Sequence, residues 1–174
     1  ELKQLLNEFS IAQELGTGNV ERLLDLAEKH QDDQDILHQL FMGLDASTIA
    51  MMYQINSELV RHLIDRFAEF TAETAWGFDY TDKIGNKCRA IFHAIPDFEI
   101  RAAMVSCTMR VGVSHNRWHV LGIFKGLLEG EKEPGEHIPL REKLSEIPSS
   151  TRIAATDWLD LQAIHPAVRE LFTD

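Results

Sequence analysis

The run Val111-Gly-Val-Ser-His-Asn-Arg-Trp-His119 gathers side chains able to hydrogen-bond nucleic acid at helical spacing. Asn pairs with adenine and Arg with guanine through two hydrogen bonds each in the major groove. A glycine between two valines, followed by Ser114 as an N-cap, has the form of the turn in a helix-turn-helix. On that reading His115, Asn116, Arg117 and His119 head a recognition helix. Arg110 precedes the turn, and Lys125 lies where it would touch a backbone phosphate. Trp118, Leu121 and Ile123 or Phe124 would pack inward, and Thr108 takes the helix-crossing position where Ala is usual. The candidate DNA-contacting set is therefore Arg110, Ser114, His115, Asn116, Arg117, His119 and Lys125.

Charge agrees with this placement. The 174-residue chain carries a net −11, yet residues 83–125 hold seven Lys/Arg against two acids, a net +5. Residues 1–82 carry five bases and sixteen acids, and residues 126–174 five bases and ten acids. A local positive excess is the footprint of a phosphate-binding surface. The acidic remainder argues against nonspecific coating of nucleic acid but not against docking by one face, since charge is screened over about 8 Å at physiological salt.

Other chemistry is weaker. Cys88 and Cys107 with His115 and His119 could supply a Cys₂His₂ zinc set, but no C-x₂₋₄-C knuckle is present and buried Cys is commonly a small hydrophobe. Cys107 beside a histidine could be a nucleophile pair, but no flanking signature supports it. Neither phosphate-cradling glycine motif occurs. The reading is accordingly a non-enzyme with no metal and no cofactor, the zinc question staying open.

The elements that must position these residues follow helical periods. Leu2, Leu5, Leu6 and Phe9 share a stripe, and Gly16-Thr-Gly18 breaks it. Asn19 then caps a helix over Val20–Ala27, Gln31–Asp35 is a polar turn, and Ile36–Phe41 is a short helix ended by Gly43. Trp76–Thr81 and Ala90–His93 are the plausible extended pieces, with Trp76, Phe78 and Tyr80 expected to plug a core. Gly126–Pro139 reads as loop, Pro148-Ser-Ser150 as a break, and residues 150–172 as one or two helices interrupted before Pro166. The expected fold is mostly α, a multi-helix domain with one or two helix-turn-helix units. Residues 1–82 form an acidic scaffold or oligomerisation region, 83–130 the basic DNA-contacting region (its hairpin over 101–124), and 131–174 a loop and C-terminal helical segment.

A first hairpin is expected over about 46–66. Ala50 would fill the crossing position and Tyr53-Gln-Ile55 the turn. Leu59, Val60, Leu63 and Ile64 would pack, and Asn56 or Ser57 would cap the second helix. Gln54 stands where Gly is commoner, and Glu58 and Asp65 suit a scaffold better than a phosphate contact. Gly43–Ile64 resembles the helical hairpin of FlhD, and Arg101–Gly130 is similar to the helix-turn-helix of FlhC. Both belong to the family of flagellar master-regulator-type bacterial transcriptional activators, which also occur on mobile genetic elements. FlhC-type proteins hold zinc with a cluster of cysteines, and this chain has two. The resemblance implies an activator that works as an oligomer and recruits RNA polymerase.

Apolar content is ordinary, two cysteines exclude a disulfide-dense scaffold, and no apolar run reaches the roughly 18 residues of a membrane span. The start, Glu1-Leu-Lys-Gln-Leu-Leu6, has no signal-peptide form. The expectation is a cytoplasmic DNA-binding transcriptional regulator, a homo-oligomer or a hetero-complex with another regulator subunit. Its partners would be double-stranded DNA and RNA polymerase, with no membrane. The rival is a helical adaptor or anti-activator that binds protein without touching DNA.

Overall fold

The computed structural model describes residues 18–114, 135 and 137–173. Among these it has nine α-helices and no strand. They are α1 (Gly18–Lys29), α2 (Gln34–Gly43), α3 (Ala46–Ile55), α4 (Ser57–Glu73), α5 (Tyr80–Ala94), α6 (Phe98–Ser114), α7 (His137–Ser145), α8 (Ser149–Ala154) and α9 (Pro166–Arg169). Short 3₁₀ turns follow α8 (Ala155–Trp158) and α9 (Glu170–Phe172). The stripe expected over residues 2–9 lies outside the described residues. The chain divides into two compact units between Thr71 and Ala72, inside α4 and earlier than the charge boundary at 82/83.

The N-terminal unit is built on amphipathic helices with defined ends. Asp33 caps α2, its carboxylate accepting from Ile36 N at 3.1 Å. Asn56 does double duty: its N–H donates to Met52 O, closing α3, and its side chain accepts from Leu59 N at 3.1 Å, opening α4. The polar cap, rather than a glycine, turns the chain here. The break therefore falls at Asn56, and Tyr53-Gln-Ile55, expected to be the turn, completes α3. Leu23, Leu37, Phe41, Ile49, Met52, Leu63, Ile64 and Phe67 are fully enclosed. Leu59 is only half-buried, Ala50 is half-buried, and Ile55 remains 47% exposed.

In the C-terminal unit α6 is the central element, packed by both α5 and α7. Every residue from Ala102 to Met109 is buried. A helix enclosed on several sides needs no polar stripe, and this one carries none over that stretch. Its two buried hydroxyl residues stay compatible with the core; Thr108 Oγ1 donates to Met104 O at 2.8 Å, one turn back. Asp97 opens α6, its carboxylate accepting from Ile100 N at 3.0 Å.

Three expectations are corrected here. Ala90–His93 is helical, the last turns of α5, because Ile84, Cys88 and Ile91 form a buried stripe at helical spacing. Trp76, Phe78 and Tyr80 do not plug a core: Phe78 is 70% exposed, while the Trp76 and Tyr80 rings lie 5.0 Å apart, both half-buried. Without a strand, alternate residues share no face. Pro139, read as loop, sits in the first turn of α7, where its missing N–H would have had no intrahelical partner. The breaks at Pro148 and before Pro166 occur as expected, Pro148 and His165 preceding α8 and α9, but Ser149 and Ser150, read as part of the first break, begin α8.

Arginines hold the C-terminal region together through backbone carbonyls. Arg152 Nε donates to Leu171 O at 2.7 Å, and its Nη1 donates to Leu144 O at 3.1 Å, to Ser145 O at 3.3 Å and to Ile147 O. These include carbonyls at the C-terminal end of α7, which lack intrahelical donors and carry the negative end of the helix dipole. Arg169 Nη2 donates to Ile164 O at 2.9 Å, and Arg141 Nη1 to Ala167 O at 2.6 Å. Arg152→Ala is expected to cost about 2 kcal/mol, since charge-assisted hydrogen bonds contribute roughly 1.5–3 kcal/mol each but share one half-buried side chain. Arg152→Lys recovers less than half, because an ammonium lacks the planar fork. Urea unfolding of the three proteins reads this, and a loss under about 0.5 kcal/mol in Arg152→Ala would remove the arginine from the stabilising framework.

Candidate nucleic-acid interface

The expected turn does not bend. Val111-Gly-Val-Ser114 forms the last turn of α6, with Val111 and Gly112 buried. The only described glycine at positive φ is Gly135, at 89°. A glycine inside a helix costs about 1 kcal/mol against alanine, a penalty small beside the burial that α6 gains between α5 and α7. Ser114 thus ends a helix in the described residues. His115, Asn116, Arg117, Trp118, His119 and Lys125 lie outside the described residues.

Arg110 is placed and half-buried, its guanidinium 3.7 Å from the Glu73 carboxylate. Arg101 is likewise engaged within its unit. Its Nε donates to Phe92 O at 3.2 Å and its guanidinium lies 5.1 Å from the centre of the Phe92 ring. These two cations of the basic block are tied to their own fold.

The remaining described cations of the block gather on α5. Thr81, Ile84, Gly85, Cys88 and Ile91 form its buried side. Lys83, Asn86, Arg89, Ala90 and His93 are exposed on the opposite arc, with Lys87 half-buried at its edge. Asp82, also half-buried, is the one acid within the helix. Of the two acids in the 83–125 block, Asp97 is buried as the cap of α6, so its charge is directed at backbone N–H groups. What results is a helix face about three turns long with three cations, an amide and an imidazole, and a small residue within it. Such a face can track phosphate oxygens, and Ala90 leaves room for close approach of a backbone.

Lys83, Lys87 and Arg89 count toward the basic block in the sequence, yet no site is expected on them there, because the Ala90–His93 segment reads as extended. A helical period drawn through Ile84, Cys88 and Ile91 was the available signal.

Cys88 and Cys107 are both buried, and no disulfide joins them. Among the described residues no three His, Cys, Asp or Glu side chains are grouped to hold a metal ion. Also among them, no helix is long and apolar enough to cross a membrane. His137 and His165 stack, with ring centres 5.2 Å apart. His165 Nδ1 accepts from Ala167 N at 3.1 Å, which assigns this ring to capping α9. Comparison with known proteins returns no matching family model, no matching curated protein and no matching solved structure.

Proposed function

We propose that this chain is a DNA-binding transcriptional regulator that holds duplex phosphates with the exposed face of α5. The observation that carries the reading is that face: Lys83, Lys87, Arg89 and His93 on one side of a helix, in the one basic block of an acidic chain. Phosphate contacts supply affinity and orientation, whereas base edges supply sequence preference. In this reading Asn116 and Arg117 remain the sequence-reading candidates, with Ser114, His115, His119 and Lys125 beside them. Arg110 orders the end of α6 through Glu73. Action as an activator, in an oligomer or with a second regulator subunit and RNA polymerase, follows from the FlhD/FlhC-like resemblance and belongs to the same proposal.

The test is duplex affinity against salt. The triple variant K83A/K87A/R89A should bind roughly uniformly more weakly across sequences and flatten the slope of log K against log salt by about 2–3 units, near 0.9 per phosphate lost. Its helix content should not change, since alanine favours helix and the face is exposed. Asn116→Ala or Arg117→Ala should instead cost about 1–3 kcal/mol on the preferred site and relax preference at one base position. Absence of duplex binding by the parent at about 50 mM salt, alone and with any co-purifying partner, sinks the proposal.

The adaptor reading keeps one observation in its favour. Arg101, Arg110, Arg141, Arg152 and Arg169 all spend their guanidinium groups on partners within their own unit. If the parent binds no duplex, protein contact becomes the leading function; if the triple variant binds duplex as the parent does, α5 is not the phosphate-holding face.

A further inference from the structure

We propose that the surface of α3 seats a partner helix whose apolar stripe is flanked by lysine or arginine. In the N-terminal unit a cavity of about 300 Å³ opens between α1 and α3, lined by Val20, Ala50, Met51, Gln54 and Ile55. Met51 is 38% and Ile55 47% exposed, and among the described residues they are the two large apolar side chains that this unit leaves in solvent. They stand one turn apart on the same helix face. That volume is at the low end for ligand pockets, roughly 300–1,000 Å³, and suits inserted apolar anchors better than a whole small molecule.

The composition of α3 points to protein contact. Ala46–Ile55 contains no charged residue, although the helix has an open face. Interface cores are depleted of charge and enriched in Met, whose flexible thioether adapts to a partner. Anchors at i, i+3 or i+4 and i+7 are how an amphipathic helix enters such a groove.

Charge selects the occupant. Residues 18–71 carry ten acids against four bases. Exposed Glu21 follows Val20, and exposed Glu58 lies in the first turn of α4 just past Ile55. Two of the four bases already have partners: Arg61 lies 5.8 Å from the centre of the Tyr53 ring, and Arg66 lies 3.9 Å from Asp32. A second copy of this unit would bring like charge to like. A basic-flanked helix meets both the apolar stripe and its acidic surround.

The experiment uses the full chain labelled at methionine methyl groups and two synthetic helical peptides of about 18 residues, long enough for marginal helix formation. Both carry leucine at i, i+3, i+4 and i+7; one has lysine at the flanking positions, the other glutamate. The lysine peptide should shift the Met51 methyl signal and leave those of buried Met104 and Met109 in place. The glutamate peptide should bind at least roughly tenfold more weakly, consistent with complementary charge acting on choice of partner. Met51→Glu should abolish the lysine peptide's binding with helix content unchanged. Equal binding of the two peptides, no Met51 shift, or full binding by Met51→Glu each overturns the proposal. So does a concentration-dependent dimer that Met51→Glu dissociates, which gives the face to a second copy. A cross-link from position 51 to residues 1–17 of the same chain in the monomer gives the face to the chain itself and overturns the proposal equally.

Discussion

Phe67→Ala should lower the unfolding free energy by about 3–5 kcal/mol, the range for truncating an enclosed aromatic side chain. Phe67 is wholly buried in α4 and meets two side chains of α2 at once. Its ring lies 5.5 Å from that of Phe41 in α2 and stacks on the His38 imidazole, also at 5.5 Å between centres. Removing it opens a void against α2 that Phe41 and His38 cannot both fill, since each is held by other neighbours. Phe67→Leu keeps most of the volume and should cost less than half as much. Urea or thermal unfolding of the N-terminal unit's signals measures both. A loss below about 1 kcal/mol for Phe67→Ala would mean that the site collapses freely, contrary to the close packing of interiors.

Acidification should destabilise the protein through His38. This imidazole is 1% exposed, with Nδ1 2.7 Å from the Thr71 hydroxyl, and Phe70 edge-on at 5.7 Å. Burial pushes its pKa down to about 4, against a smaller opposing effect of Asp35. The folded state therefore binds its proton later than the unfolded state, whose histidine titrates near 6.5. Well above pH 6.5 neither form is charged and His38 adds no pH dependence. As pH falls through 6.5 the unfolded chain takes up the proton first, and stability drops. The loss reaches about 2 kcal/mol by pH 5 and on the order of 3 kcal/mol near pH 4, where the folded state also protonates and the dependence levels off. Below pH 5 carboxylates contribute as well, so the informative window is pH 7 to 5. The slope of unfolding free energy against pH should flatten there in His38→Gln, whatever its baseline stability. An unchanged slope would show that His38 protonates within the fold at its ordinary pH.

The basic face of α5 was half-legible. Its cations are visible as charge in residues 83–125, but charge alone does not say which of them reach solvent. Lys83 and Arg89 do, whereas Arg101 folds back onto Phe92 and Arg110 meets Glu73. The partner atoms lie 9 residues away in one case and far along the chain in the other. No spacing rule on a single helix encodes them. The same holds for α3: Met51 and Met52 are adjacent and chemically identical, yet one is 38% exposed and the other fully enclosed. Which methionine faced inward depended on where α1 and α4 pack.

By itself the sequence determined what local chemistry controls. Apolar residues recurring at helical spacing made the chain mostly α. Asp33 and Asn56 carried side chains able to cap, and Pro148 and Pro166 interrupted the C-terminal helices where a ring cannot continue a helix. Charge segregation was equally plain. Only the tertiary structure decided that Val111-Gly-Val-Ser114 stays helical, that Ala90–His93 is not extended, and that Phe78 is left outside the core. Local preferences at such positions amount to about 1 kcal/mol. Enclosing a central helix such as α6 removes many apolar side chains from water, each contributing roughly 1.5–3 kcal/mol. Where the two conflict, burial against distant elements wins, and distance along the chain is what a local reading does not contain.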